Sequence, residues 1–138
     1  MNVQAYLQFE GRTQEALDFY KSAIGAKVDM VMHFKDAPPE VQGQMDPKSK
    51  DKVMHAAFHV GDTQIVATDG RCSGKSAFSG ISLTLNAGSD GEAEKLFNAL
   101  AQGGNVNMPM SETFFAHRFG SVSDKFGVGW MILNPKMP

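Results

Sequence analysis

The sequence predicts an α+β fold: two βαβββ modules forming curved mixed sheets around a cavity. Three observations carry this. A string recurs, since Glu15-Ala16-Leu17-Asp18-Phe19-Tyr20 leads into Ile24-Gly25-Ala26-Lys27-Val28, and Glu92-Ala93-Glu94-Lys95-Leu96-Phe97 leads into Gln102-Gly103-Gly104-Asn105-Val106. Each copy reads as a short helix stopped at glycine and handed to a strand. Around both copies the apolar residues switch to a period of two, the signature of half-buried strands.

The elements follow in order. Val3, Ala5, Leu7 and Phe9 alternate with Asn2, Gln4, Tyr6 and Gln8, giving a first strand that ends at Gly11. Thr13 is a candidate N-cap for a helix reaching about Ile24, with Ala16, Leu17, Tyr20 and Ile24 as its buried stripe. Gly25 supplies a left-handed stop. Residues 27–34 form a second strand. Residues 36–52 use turn residues, Asp36-Ala37-Pro38-Pro39 and Asp46-Pro47, over a length typical of lids or mobile edges. Residues 52–60 and 63–68 form a third and a fourth strand around the Gly61-Asp62 turn. The first module spans 1–70, a Gly/Ser-rich linker 71–79, and the second module 80–135.

The second module repeats the order. Ile81, Leu83 and Leu85 mark a strand, and Ser89 with Glu92 forms a capping box. The helix buries Ala93, Leu96, Phe97 and Leu100 and stops at Gly103. Strands follow at 105–110, 116–123 and 128–134. A sheet covered on one face by a helix must use its other face elsewhere, and two such sheets can line a space for a small ligand.

Composition narrows the function. The chain has 138 residues, 42% hydrophobic and 20% charged, which fits one soluble globular domain with a real core. A net charge of -2 argues against broad nucleic-acid binding. No apolar run is long enough to span a membrane, and the N-terminus lacks the pattern of a secretory signal. The cytoplasm is therefore the expected compartment. The single cysteine, Cys72, cannot form an internal disulfide, and a lone loop cysteine is most often incidental. Methionines such as Met30, Met32, Met108, Met110 and Met131 read as core and pocket lining.

Few residues offer chemistry. His55 and His59 share one strand face, opposite Met54, Ala56, Phe58 and Val60. At i and i+4 on a strand they lie roughly 13 Å apart, too far to share a metal. His55 is a candidate polar pocket group or general base. His117 follows Phe114 and Phe115, which together could form a stacking wall, and Arg118 should point to the opposite face. Trp130 is a pocket or core residue. Asp69 ends the fourth strand, where it could meet His55 or Arg71, contact a ligand, or simply open the turn. No nucleophile elbow, zinc helix or phosphate loop is present.

The βαβββ pair with Ala16-Leu17-Asp18-Phe19-Tyr20 and Ile24-Gly25-Ala26 resembles the vicinal oxygen chelate superfamily, which contains glyoxalase I, extradiol dioxygenases and bleomycin-binding proteins. The string Glu112-Thr113-Phe114-Phe115-Ala116-His117-Arg118-Phe119-Gly120, then Asp124-Lys125-Phe126-Gly127-Val128-Gly129-Trp130-Met131-Ile132, is similar to the PhnB-like branch, also labelled demethylubiquinone methyltransferase-like. The resemblance covers essentially the whole chain and implies the glyoxalase/bleomycin resistance fold, commonly as a homodimer. It also implies a metal held by one residue on the first and last strand of each half. Those positions fall here on Gln4 or Ala5, near Ala67, near Gly80 and on Met131. One amide and no carboxylate or histidine make a poor cation site, so no metal and no other cofactor is expected. Nor does Gly11, alone between strand and helix, resemble the Gly-rich turn of a Rossmann-type donor site.

The leading expectation is a metal-independent small-molecule binder lined by Phe114, Phe115, Trp130 and Asp69, with His55 and His117 as polar contacts. One alternative is a lyase, isomerase or transferase using a histidine base or a metal at unusual positions. The other is a drug-sequestering resistance protein, which the near-neutral charge supports little.

Overall fold

The computed structural model describes residues 1–42 and 47–137. The chain divides into two compact units, Met1–Ser76 and Ala77–Pro138. The first contains β1 (Tyr6–Gln8), α1 (Thr13–Ile24), β2 (Lys27–His33), a short α2 (Pro39–Gln42), β3 (Val53–Val60) and β4 (Thr63–Thr68). The second contains β5 (Ser82–Asn86), α3 (Asp90–Ala101), β6 (Asn105–Ser111), β7 (Ala116–Ser123) and β8 (Gly129–Pro135). The sheet orders are β1-β4-β3-β2 and β5-β8-β7-β6, the same order twice. In each sheet the first strand runs parallel to the fourth and the other pairs are antiparallel. The fold is α+β, and neither four-stranded sheet closes on itself.

Each helix packs on one face of its own sheet. In the first unit Tyr20 stacks on Phe58, with ring centroids 6.0 Å apart, and Phe9 tilts against Tyr20. Ala16, Leu17, Leu7, Ala56 and Ala67 complete this buried layer. In the second unit Ala93, Phe97 and Leu100 of α3 meet Val122, Trp130 and Ile132. Gly120 lets the helix approach, because a side chain there would overlap Phe97 and Met110.

Several boundaries differ from expectation. The first strand is only three residues long, because Val3, 95% exposed, finds nothing to pack against. Thr13 is the first helical residue rather than the N-cap. Arg12 holds the cap position and offers no side-chain cap bond. Gly25 stops α1 at φ +68, as expected from its lack of a Cβ. Ser89 caps α3 by accepting the Glu92 N–H at 3.1 Å. The segment expected as a lid carries α2 and two single 3-10 turns, Phe34–Asp36 and Pro47–Ser49. Its residues 43–46 lie outside the described residues.

Candidate functional site

The open face of the first sheet is set by pleating. Leu7, Ala67, Ala56 and Phe58 turn to the helix, so their neighbours Tyr6, Gln8, Val66, Thr68, His55, Ala57 and His59 turn the other way. Where β1 and β4 end in parallel, this face opens into a pocket of about 400 Å³, lined by Tyr6, Gln8, Glu10, Thr68, Gly70 and Arg71. His55 adjoins it, its ring 6.0 Å from that of Tyr6 and tilted by 56°.

The loop after β4 builds the pocket wall through two carboxylates. Asp69 is 1% exposed. Its Oδ1 accepts the N–H groups of Gly11 at 3.0 Å and Thr13 at 2.8 Å, and its Oδ2 accepts that of Val53 at 2.7 Å. An anion thus sits at the start of α1, where free N–H groups and the helix dipole favour it, and does the work expected of Thr13. The Thr13 hydroxyl is buried without a hydrogen-bond partner among the described residues. Asp69 meets neither His55 nor Arg71 and is not among the pocket-lining residues. Its carboxylate is engaged by these three backbone N–H groups.

Glu10 provides the second anchor from a left-handed backbone, φ +52. Its Oε2 accepts the Arg71 N–H at 2.9 Å, its Oε1 accepts the Ser73 hydroxyl at 3.1 Å, and its carbonyl accepts the Gly74 N–H at 2.9 Å. Gly70, at φ +57, makes the approach possible, since a Cβ there would overlap Glu10 Oε2. Cys72, at φ +55 and half-buried, belongs to the same loop, and its N–H binds the Asp69 carbonyl at 2.8 Å.

A polar chain crosses the same sheet. Gln4 Nε2 donates to Gln64 Oε1 at 2.8 Å, Gln64 Nε2 donates to Asp29 Oδ2 at 3.2 Å, and Asp29 pairs with His59 Nδ1. A bulge between Val28 and Met30 turns Asp29 toward His59.

The remaining sequence candidates lie in the second unit. Trp130 is core: it is 2% exposed, and its indole N–H donates to Asp124 Oδ2 at 2.9 Å. Of the two readings the sequence leaves open for Trp130, pocket or core, this burial matches the core. Asp124 Oδ1 also accepts the N–H groups of Phe126 at 2.9 Å and Val128 at 3.1 Å. Phe114 is 92% exposed and edge-on to Phe115, which is edge-on to Phe119. His117 is exposed, while Arg118 reaches Glu94 on α3 at 3.2 Å, on the opposite side as expected.

The metal positions implied by resemblance can be tested for fit. The Gln4 amide is bonded to Gln64, Ala67 faces α1, Gly80 precedes β5, and Met131 pairs with Thr84. Among the described residues no three His, Cys, Asp or Glu side chains are grouped to hold an ion. The donor set does not fit a divalent cation. Among the described residues no helix is long and apolar enough to cross a membrane.

Comparison with known proteins agrees with this architecture. A family model described as 3-demethylubiquinone-9 3-methyltransferase matches residues 1–133. Protein YjdN of Escherichia coli (strain K12) is 34% identical, over 96% of this chain and 94% of its own length. The crystal structure of PA1353 from Pseudomonas aeruginosa superposes with a TM-score of 0.83 at 37% identity, covering 97% of each chain. A glyoxylase/bleomycin resistance protein/dioxygenase domain from Frankia sp. EAN1pec shares the fold, with a TM-score of 0.62 at 16% identity over 98% of this chain and 95% of that one. The chain therefore belongs to the PhnB-like, 3-demethylubiquinone-9 3-methyltransferase family, on the glyoxalase/bleomycin resistance/dioxygenase fold.

Proposed function

We propose that this protein binds a small molecule, without a divalent metal, in the pocket where β1 and β4 end. The carrying observation is the pocket itself, a concave site of about 400 Å³ with one aromatic ring and several polar groups converging on it. Its lining loop is held by Glu10 and Asp69, so little ordering is left to oppose binding. Methyl transfer in the family's description is not carried over. A Rossmann-type donor site uses the N-terminus of the first helix, and here Asp69 already occupies it.

A fragment screen by thermal shift, with and without chelator, tests this reading. Ligands at about a hundred times their Kd should add about 2.7 kcal/mol, chelator should change nothing, and Gln8→Trp should abolish the effect by filling the pocket. Stabilisation that requires a divalent metal, or that survives Gln8→Trp, would contradict it.

A second reading, an enzyme with a histidine base, draws support from His59. Asp29 engages its Nδ1, which leaves Nε2 as the ring nitrogen open to a ligand. It predicts turnover of a bound ligand that His59→Asn lowers by 100-fold or more. We also propose a homodimer, because Met30, Met32, Met108 and Phe114 leave apolar surface open to a second copy. Light scattering that gives the monomer mass at micromolar concentration would rule this out.

A further inference from the structure

The pocket lining is uneven in how many of its polar groups are already used. Thr68 Oγ1 donates to the Met54 carbonyl at 2.7 Å and accepts the Gly70 N–H at 3.1 Å. Both Glu10 oxygens hold donors from the loop. By contrast the Tyr6 hydroxyl, the Gln8 amide and the Arg71 guanidinium have no hydrogen-bond or ion-pair partner among the described residues. All three can donate, and Arg71 brings a fixed planar fork that matches a carboxylate. The uncommitted chemistry of the pocket is therefore that of a donor set awaiting an acceptor.

The main chain that presents Arg71 is fixed on both sides. Its own N–H is held by Glu10, and the next N–H, from Cys72, is held by the Asp69 carbonyl. Gly70 adopts a left-handed φ that keeps the loop close to Glu10. The Tyr6 ring is 52% exposed and braced by His55, so it offers a free face for a planar group. Glu10 sets a limit on ligand charge: its carboxylate lines the same pocket and repels a second negative charge.

Resting on the pocket reading above, we propose that the ligand is a small aromatic monocarboxylic acid. Its carboxylate sits on Arg71, assisted by Gln8 and Tyr6, and its ring lies on Tyr6.

The test uses benzoate, benzamide and phenyl phosphate with the full chain, following backbone amide signals and affinities by NMR titration. Benzoate should bind at least tenfold tighter than benzamide and tighter than phenyl phosphate. Arg71→Gln should erase the gap between benzoate and benzamide while leaving the unfolding temperature unchanged, because the Arg71 side chain is exposed and makes no internal bond among the described residues. Equal binding of benzoate and benzamide, tighter binding of phenyl phosphate, or a preference that persists in Arg71→Gln would overturn the carboxylate assignment. In each of those cases shifts at Tyr6, Gln8 and Thr68 would leave the pocket reading standing. If none of the three probes moves those signals, the pocket reading itself falls, and this inference with it.

Discussion

The two modules share a strand order and a helix position, yet they start their helices differently. In the second, Ser89 caps α3 from the adjacent position, a bond confined to one turn of chain. In the first, the cap of α1 comes from Asp69, at the far end of β4. That long-range cap ties the β4–loop junction to the β1–α1 junction and places Thr68, Gly70 and Arg71 around one opening. Each module also buries one carboxylate that serves three N–H donors, Asp69 in the first and Asp124 in the second. Asp124 binds its own turn and Trp130, and so fixes a hairpin and a core. The same device, placed at a different junction, shapes a pocket in one module and packing in the other.

The sharpest way to break this comparison is to remove the two carboxylates. Asp69→Ala leaves two buried N–H groups and one part-buried N–H group unsatisfied and should cost about 3–5 kcal/mol. It should also abolish ligand binding where the protein remains folded. Asp124→Ala should destabilise by a similar amount and leave affinity unchanged, as read by urea unfolding and titration in parallel. Equal loss of affinity in both would end the distinction between them. Gly70→Ala comes next, at about 1–3 kcal/mol, because both φ and the Glu10 contact oppose a Cβ. The caps give the smallest effect. Ser89→Ala should cost about 1 kcal/mol, whereas Thr13→Val, which removes an unpaired buried hydroxyl, should be neutral or slightly stabilising. A loss at Thr13 matching that at Ser89 would restore Thr13 as a cap.

The sequence makes the architecture readable because periodicity and glycine stops are local signals. The span of β4, the end of α1 at Gly25 and the buried layer of Ala16, Leu17 and Tyr20 follow directly from them. The site is less readable. Tyr6 and Gln8 look like the solvent side of an alternating strand, and Asp69-Gly70-Arg71 looks like a turn. Nothing local announces that Glu10 adopts positive φ and holds the loop 61 residues later in the chain. Phe114, Phe115 and Trp130 draw the eye as aromatics. The structure places Trp130 in the core and leaves Phe114 exposed, because packing of the second module, and not residue type, decides their surroundings.

Chemical-shift mapping of benzoate binding tests the central claim that the first module carries the site. The account predicts shifts centred on Tyr6, Gln8, Thr68, Gly70 and Arg71, with Thr84, Phe114, Phe115 and His117 unmoved. Shifts centred on Phe114, Phe115 and His117, with Tyr6 and Arg71 silent, would contradict it.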